Sequence, residues 1–182
     1  MYHTILLTAG ISLFGSFNIF GKKTRTEKIF EFPATNPKAP GEDQETWDSH
    51  IEDWLKTMRP LFGDALSNPK RISAEYSALY ALQKENKLQK NPKIVLFYTN
   101  TFGSKAAARL LEKLIAKDFS AQVSLEKIDD LDVDNRSRLN QNLGNFMQLL
   151  GRHLQNQDKS STCFVPLGGY KIMTSLGYIW TF

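Results

Sequence analysis

Lys93-Ile94-Val95-Leu96-Phe97-Tyr98, closed by Thr99-Asn100-Thr101, is the stretch on which the fold turns. A short, continuous apolar run bounded by polar turn residues suits a strand buried on both faces, as in a parallel sheet covered by helices. Gly103-Ser104 follows and leads into a helix whose Ala107, Leu110, Leu111, Leu114 and Ile115 hold one face.

The same alternation extends in both directions. Upstream, Thr4-Ile5-Leu6-Leu7-Thr8-Ala9 is a second apolar run, ended at once by Gly10. Residues 22–41 are polar and contain Pro33, Pro37 and Pro40, a long loop with room for a minor edge strand at Phe30-Glu31-Phe32. A helical pattern follows over residues 42–58, with Trp47, Ile51, Trp54, Leu55 and Met58 at helical spacing, and Pro60 and Gly63 break it. Ser73 opens another helix, where Ala74, Ser77, Ala78, Ala81 and Leu82 form a small-residue face suited to close approach by a sheet or a symmetry mate.

Downstream, residues 122–128 predict a strand and residues 129–134 an acidic, solvated turn. Asn135 is placed to cap a long helix with Leu139, Leu143, Phe146, Met147, Leu150 and Leu154 on one stripe. Residues 161–165 form the last predicted strand, buried around Cys163, and a final helix starts near residue 172. Strands alternating with helices predict an α/β fold with a mostly parallel central sheet flanked by helices. No internal repeat or second-domain boundary interrupts the 182 residues, so a single domain over 1–182 is expected.

Composition narrows the function classes. A hydrophobic fraction of 41% and a charged fraction of 23% are those of a soluble globular domain. The net charge of +4 is compatible with a small polyanionic ligand and equally with a solvated basic surface, and does not argue for a protein that coats duplex nucleic acid. Cys163 is the only cysteine, so no internal disulfide can form, and its apolar neighbours favour a small core residue over a nucleophile. The apolar N-terminus is broken by Gly10, Ser12, Gly15, Ser16 and Asn18, which predicts a buried strand and loop rather than a membrane anchor. A cytoplasmic location follows as the expectation.

Open α/β sheets bind ligands beyond the carboxyl ends of their strands. Three post-strand segments therefore carry the candidate site: Gly10-Ile11-Ser12-Leu13, Thr99-Asn100-Thr101-Phe102-Gly103-Ser104, and Leu167-Gly168-Gly169-Tyr170-Lys171. Glycine allows close backbone approach, helix N-termini present free N–H groups to a phosphate, and Lys171 adds an ammonium. Each segment also has an ordinary reading, since Gly-Gly is a common turn, Ser12 can cap a helix and Lys171 can sit on the surface. Their joint placement after the first and last strands is what points to a ligand.

Rival chemistries lack their residues. No Gly-x-Gly-x-x-Gly follows the first strand, and there is no Walker A motif or Gly-x-Ser-x-Gly elbow. His3, His50 and His153 are scattered without metal-ligand spacing to one another or to Cys163, so no metal site and no cofactor are expected.

Taken together, these motifs resemble the CARF domains of type III CRISPR systems, including the standalone ring nucleases. Leu7-Thr8-Ala9-Gly10-Ile11-Ser12-Leu13 is similar to that family's first-strand Thr-x-Gly-x-Ser-Leu. Ser73-Ala74-Glu75 resembles its Ser-Ala-Glu helix start, and Leu96 to Thr101 its strand ending in a polar loop. Val165-Pro166-Leu167-Gly168-Gly169-Tyr170-Lys171 is similar to its Asn-x-Thr-Gly-Gly-x-Lys. Val165 and Leu167 replace the usual Asn and Thr, which removes one hydroxyl contact. The chain stops at Phe182, where many relatives continue into an effector, so a minimal standalone form and a sensor domain are both open.

The resemblance implies a Rossmann-like fold and a homodimer whose loops enclose a cyclic oligoadenylate across a two-fold axis. It implies phosphate contacts from Lys171, Gly168 and Gly169, and a ribose or phosphate contact from Ser12. Two functions follow. One is a ring nuclease that needs no metal, in which Lys171 and Ser12 are catalytic. The other is a sensor that binds the ring and regulates a fused or associated effector. A nucleotide-binding α/β domain unrelated to CRISPR is the third reading of the same residues.

Overall fold

The computed structural model describes residues 1–10, 12–13, 51–52, 55–56, 72–99, 102–128, 136–155 and 157–167. Strand β1 (Tyr2–Thr8) lies between β2 (Leu88–Thr99) and β4 (Thr162–Val165), and β3 (Gln122–Ile128) pairs with the far side of β2. The sheet order is β3-β2-β1-β4, with all three neighbouring pairs parallel. Three described helices link the strands: α1 (Ala74–Lys84), α2 (Phe102–Asp118) and α3 (Arg136–Gln155). This is the expected α/β, Rossmann-like arrangement.

Alternation along the strands divides the core in two. Ile5 and Leu7 of β1 and Ile94 and Leu96 of β2 point to the face carrying α1 and α2, where they meet Tyr76, Leu79, Leu110, Leu111 and Leu114. Leu6, Val95 and Phe97 point to the other face, against Phe146 and Leu150 of α3. A strand covered on both sides has no solvated face to mark with polar residues, which is why β1 and β2 read as continuous apolar runs. The helix placement follows from chain direction. From β1 to β2 to β3 the chain steps one way across the sheet, and from β3 to β4 it steps back past β1. Crossovers of constant hand then put α3 on the opposite face from α1 and α2.

Several boundaries differ from the sequence reading. The ladder between β1 and β2 is regular from Thr4↔Lys93 onward, where the strand was expected to begin. Before that, Tyr2 pairs with Leu88, and the intervening β2 residues leave the register at Asn91, whose φ is 51°. Pro92 beside it has no N–H to give the ladder, so strand and irregularity coexist. Helix α1 does not pack through its small residues. Its buried side chains are Glu75, Tyr76 and Leu79, while Ala74 and Ala81 are exposed. The aromatic ring dominates that choice: Tyr76 packs edge-to-face on Phe119 at 5.0 Å and donates its hydroxyl to Asp118 Oδ2 at 2.9 Å.

Strand β4 is half-buried along its length rather than buried, because among the described residues it lies at the sheet edge with only β1 beside it. The end of α1 is closed by two hydrogen bonds, Lys87 N–H to Leu82 O and Asn86 N–H to Gln83 O, with Asn86 at φ 55° in the position that glycine usually takes. The expected edge strand at Phe30-Glu31-Phe32, the cap at Asn135 and the final helix lie outside the described residues.

Phe97 is fully buried and packs edge-to-face on both Phe146 and His153. Phe97→Ala should cost about 3–5 kcal/mol in denaturant unfolding. Ser124→Ala on the exposed side of β3 should change stability by less than about 0.5 kcal/mol.

Candidate functional site

The carboxyl ends of all four strands face one edge, and the strand order reverses between β1 and β4. Leu7 pairs with Val165, so the segments after the two strands leave the sheet side by side at that reversal. This is where an open α/β sheet has its crevice. Ala9 extends the pairing one step by donating its N–H to Phe97 O at 2.8 Å. On the other side Pro166 is buried, and Leu167 N–H turns back to Val165 O at 3.1 Å. The fixed φ of proline favours that three-residue turn.

Glu75 organises the edge. Its side chain is fully buried, yet both carboxylate oxygens are satisfied: Gly10 N–H donates to Oε1 at 2.8 Å and Ser12 Oγ–H to Oε2 at 3.1 Å. Ser12 Oγ in turn accepts the N–H of Ala74 at 3.2 Å. Glu75 sits in the first turn of α1, where the helix dipole favours a negative charge. Ser73 caps the same turn by accepting Tyr76 N–H at 3.1 Å. A buried carboxylate without such partners would be strongly unfavourable, so this clamp and the conformation of the post-β1 segment are set together.

The sequence-derived residues therefore divide by what they touch. Gly10 directs its amide at Glu75. Ser12 is exposed but engaged on two sides, and one oxygen lone pair remains available to accept a further hydrogen bond. Leu13 is fully buried in the core on the α1 and α2 side, so its side chain packs rather than faces solvent. Thr99 ends β2 with its N–H donated to Ser104 Oγ at 2.9 Å, and both residues are buried. Leu167 follows β4 and is 48% exposed, one of two large hydrophobic side chains exposed among the described residues. Ile11, Asn100, Thr101, Gly168, Gly169, Tyr170 and Lys171 lie outside the described residues.

One organising residue carried no assigned role in the sequence reading: Glu75 was noted only as part of a motif, whereas Ser104 belonged to the second candidate segment. Glu75 did leave a signal. It stands two residues after the capping Ser73, one short of the spacing at which a glutamate closes a capping box, so its carboxylate is free to reach another segment.

Residues 70–181 match the family model described as CRISPR-associated protein (Cas_APE2256). The chain belongs to this CRISPR-associated family. The matched span takes in α1 with Glu75, the remaining described strands and Lys171, whereas Gly10 and Ser12 precede it. No curated protein matches the chain.

Among the described residues no group of three or more His, Cys, Asp or Glu is placed to hold a metal ion, and no helix is long and apolar enough to cross a membrane. Burial pushes the Cys163 thiol above its ordinary pKa, which lowers its thiolate fraction at neutral pH.

Two outcomes are expected. Glu75→Ala leaves the buried Gly10 N–H without an acceptor and should cost at least about 1–3 kcal/mol in thermal or denaturant unfolding. Glu75→Gln can still meet Gly10 with its amide oxygen and should retain most of that stability. Alkylation of Cys163 at pH 7, followed by mass spectrometry, should run slower than for an unstructured cysteine peptide.

Proposed function

We propose that this chain binds a cyclic oligoadenylate across a homodimer interface and opens the ring without a metal, ending a type III CRISPR signal. The observation that carries the reading is the Glu75 clamp. It ties Gly10 and Ser12 to the start of α1, and β1 is paired with β4, the strand that precedes Gly168-Gly169-Tyr170-Lys171 in the sequence. Membership of a CRISPR-associated family supports the same reading, as does the resemblance of these loops to those of CARF domains. The domain is proposed to be a single CARF-like unit over residues 1–182.

In this reading the ribose 2′-oxygen attacks the adjacent phosphorus. The bond from phosphorus to O2′ forms and the bond to O5′ breaks. The 2′-hydroxyl proton is lost, the 5′-oxygen gains one, and the product is linear with a 2′,3′-cyclic phosphate and a 5′-hydroxyl. The nucleophile belongs to the substrate, so the protein has to align it and stabilise charge. Lys171 supplies positive charge beside the phosphate. Ser12 gives its proton to Glu75, so toward the ligand it acts as an acceptor, suited to a ribose 2′-hydroxyl rather than to a phosphate oxygen. A two-fold axis lets each protomer hold half of the ring in the same way.

The second reading is a sensor that binds the ring unchanged and controls a fused or associated effector. Replacement of the family's Asn and Thr by Val165 and Leu167 favours it, because a hydroxyl near the phosphates is lost.

Incubation with cyclic tetra-adenylate and cyclic hexa-adenylate in the presence of EDTA, followed by chromatography, separates the readings. Linear products ending in a cyclic phosphate are expected, from the tetra-adenylate first. Retained but uncut ring would establish the sensor, and no binding of either ring would overturn both. Lys171→Ala should lower turnover by about 10²–10³-fold at unchanged melting temperature. Ser12→Ala should lower turnover and also cost about 1–3 kcal/mol, since the buried Glu75 Oε2 loses its donor and the Ala74 N–H its acceptor.

A further inference from the structure

Glu75 is the one fully buried acid among the described residues, and the ring-opening chemistry above gives it no part beyond engaging Ser12. Ser12 itself is exposed at the functional edge. Its hydroxyl therefore spans the boundary between core and solvent. Oγ–H donates inward to Glu75 Oε2 at 3.1 Å, and Oγ accepts Ala74 N–H at 3.2 Å. Glu75 Oε1 accepts Gly10 N–H at 2.8 Å, a second anchor that fixes the carboxylate. No charged side chain is paired with that carboxylate among the described residues. Lys105, Arg109 and Glu112 of α2 are engaged with other groups, and Tyr76 directs its hydroxyl at Asp118. Lys84 of α1 and Lys90 and Lys93 of β2 stand toward the opposite edge of the sheet.

A hydroxyl that directs its proton inward to a carboxylate can take one from outside in the same step. The count of hydrogen bonds allows this without loss. With a ribose 2′-hydroxyl on its open lone pair, Ser12 Oγ accepts from the ribose and from Ala74 and donates to Glu75, which uses its full capacity. After both protons have moved one place inward, Ser12 donates to O2′, still accepts Ala74 N–H, and accepts a new O–H from Glu75 Oε2. Oε1 keeps its bond from Gly10 throughout. The clamp therefore survives protonation of its own carboxylate, with no donor or acceptor stranded in the core. A bond network that served only to hold the loop would not need an acid at its centre, because a glutamine could meet Gly10 equally well.

We propose, resting on the ring-opening reading above, that Glu75 is the terminal acceptor of the 2′-hydroxyl proton and acts through Ser12 without touching the substrate. As the bond from phosphorus to O2′ forms and the bond to O5′ breaks, the 2′-hydroxyl proton passes to Ser12 Oγ. The Ser12 proton passes to Glu75 Oε2, and the 5′-oxygen takes a proton from water. The carboxylic acid then returns its proton through Ser12 to solvent, which restores the starting charge. The test uses the intact protein in excess over cyclic tetra-adenylate with EDTA, so that a single turnover reports the chemical step. On the acid side of the profile the wild-type rate should fall about tenfold per pH unit, because the base must be ionised. Glu75→Gln should slow the step by at least about 10²-fold and lose that acid limb, while ring affinity and melting temperature stay near those of the wild type. Equal rates in Glu75→Gln and a cleaving wild type would overturn the relay and leave the ring-opening reading standing. So would a wild-type rate that is flat toward acid pH, a measurement that needs no variant. Loss of ring affinity in step with the rate would reduce Glu75 to a structural clamp and also overturn the relay. No linear product from the wild type would overturn the ring-opening reading itself, and the relay with it.

Discussion

Glu75 lies out of reach of water and accepts hydrogen bonds from Gly10 and Ser12, while Ser12 accepts one from the first residue of the helix that carries Glu75. A closed ring of three hydrogen bonds thus joins the end of β1 to the start of α1. The geometry is self-enforcing. Moving the post-β1 segment away would strand a buried negative charge, and unwinding the first turn of α1 would strand two donors. Whatever ligand meets this edge meets a surface whose shape is set before it arrives, and preorganisation of that kind reduces the entropy lost on binding.

The two-sided core explains why such a clamp is possible. With α1 and α2 on one face and α3 on the other, β1 is covered on both sides, and its carboxyl end emerges between helix layers rather than into water. That lets Thr8, Thr99 and Ser104 be buried polar residues at the strand ends, where their side chains and amides serve the turns. At the opposite edge the chain takes its less favourable conformations. Asn86 and Ser120 have positive φ beyond the ends of α1 and α2, and Asn91 where β2 leaves its register. Short polar side chains tolerate that region better than branched ones do.

Where local pattern decides structure, the sequence was readable. Residues 122–128 coincide with β3, α1 opens at Ser73 as expected, and the apolar face of α2 is the face that packs. Where long-range contacts decide, it was not. The small-residue face of α1 suggested close packing, but the larger apolar area of Tyr76 and Leu79 took the core, with Glu75 drawn in by donors more than sixty residues away in sequence. Nothing near Glu75 in the chain signals those donors. The half-burial of β4 depends on its place in the sheet, which its own four residues cannot encode. The three candidate segments did follow strands that end at one edge, although their Gly-Gly and lysine portion lies outside the described residues.

The hydrogen bond from Gly10 to Glu75 spans 65 residues of chain. Closing a flexible loop of that length costs roughly 3–4 kcal/mol in chain entropy, more than the bond returns. The clamp therefore cannot nucleate folding. It forms only after β1 has found β2 and α1 has docked, and parallel pairing across so long a separation is slow. A chain still emerging from synthesis holds its first strand with no partner until β2 is made, exposed to misassociation for that interval. The clamp is then among the last features the molecule acquires, and its formation during refolding marks completion of the sheet.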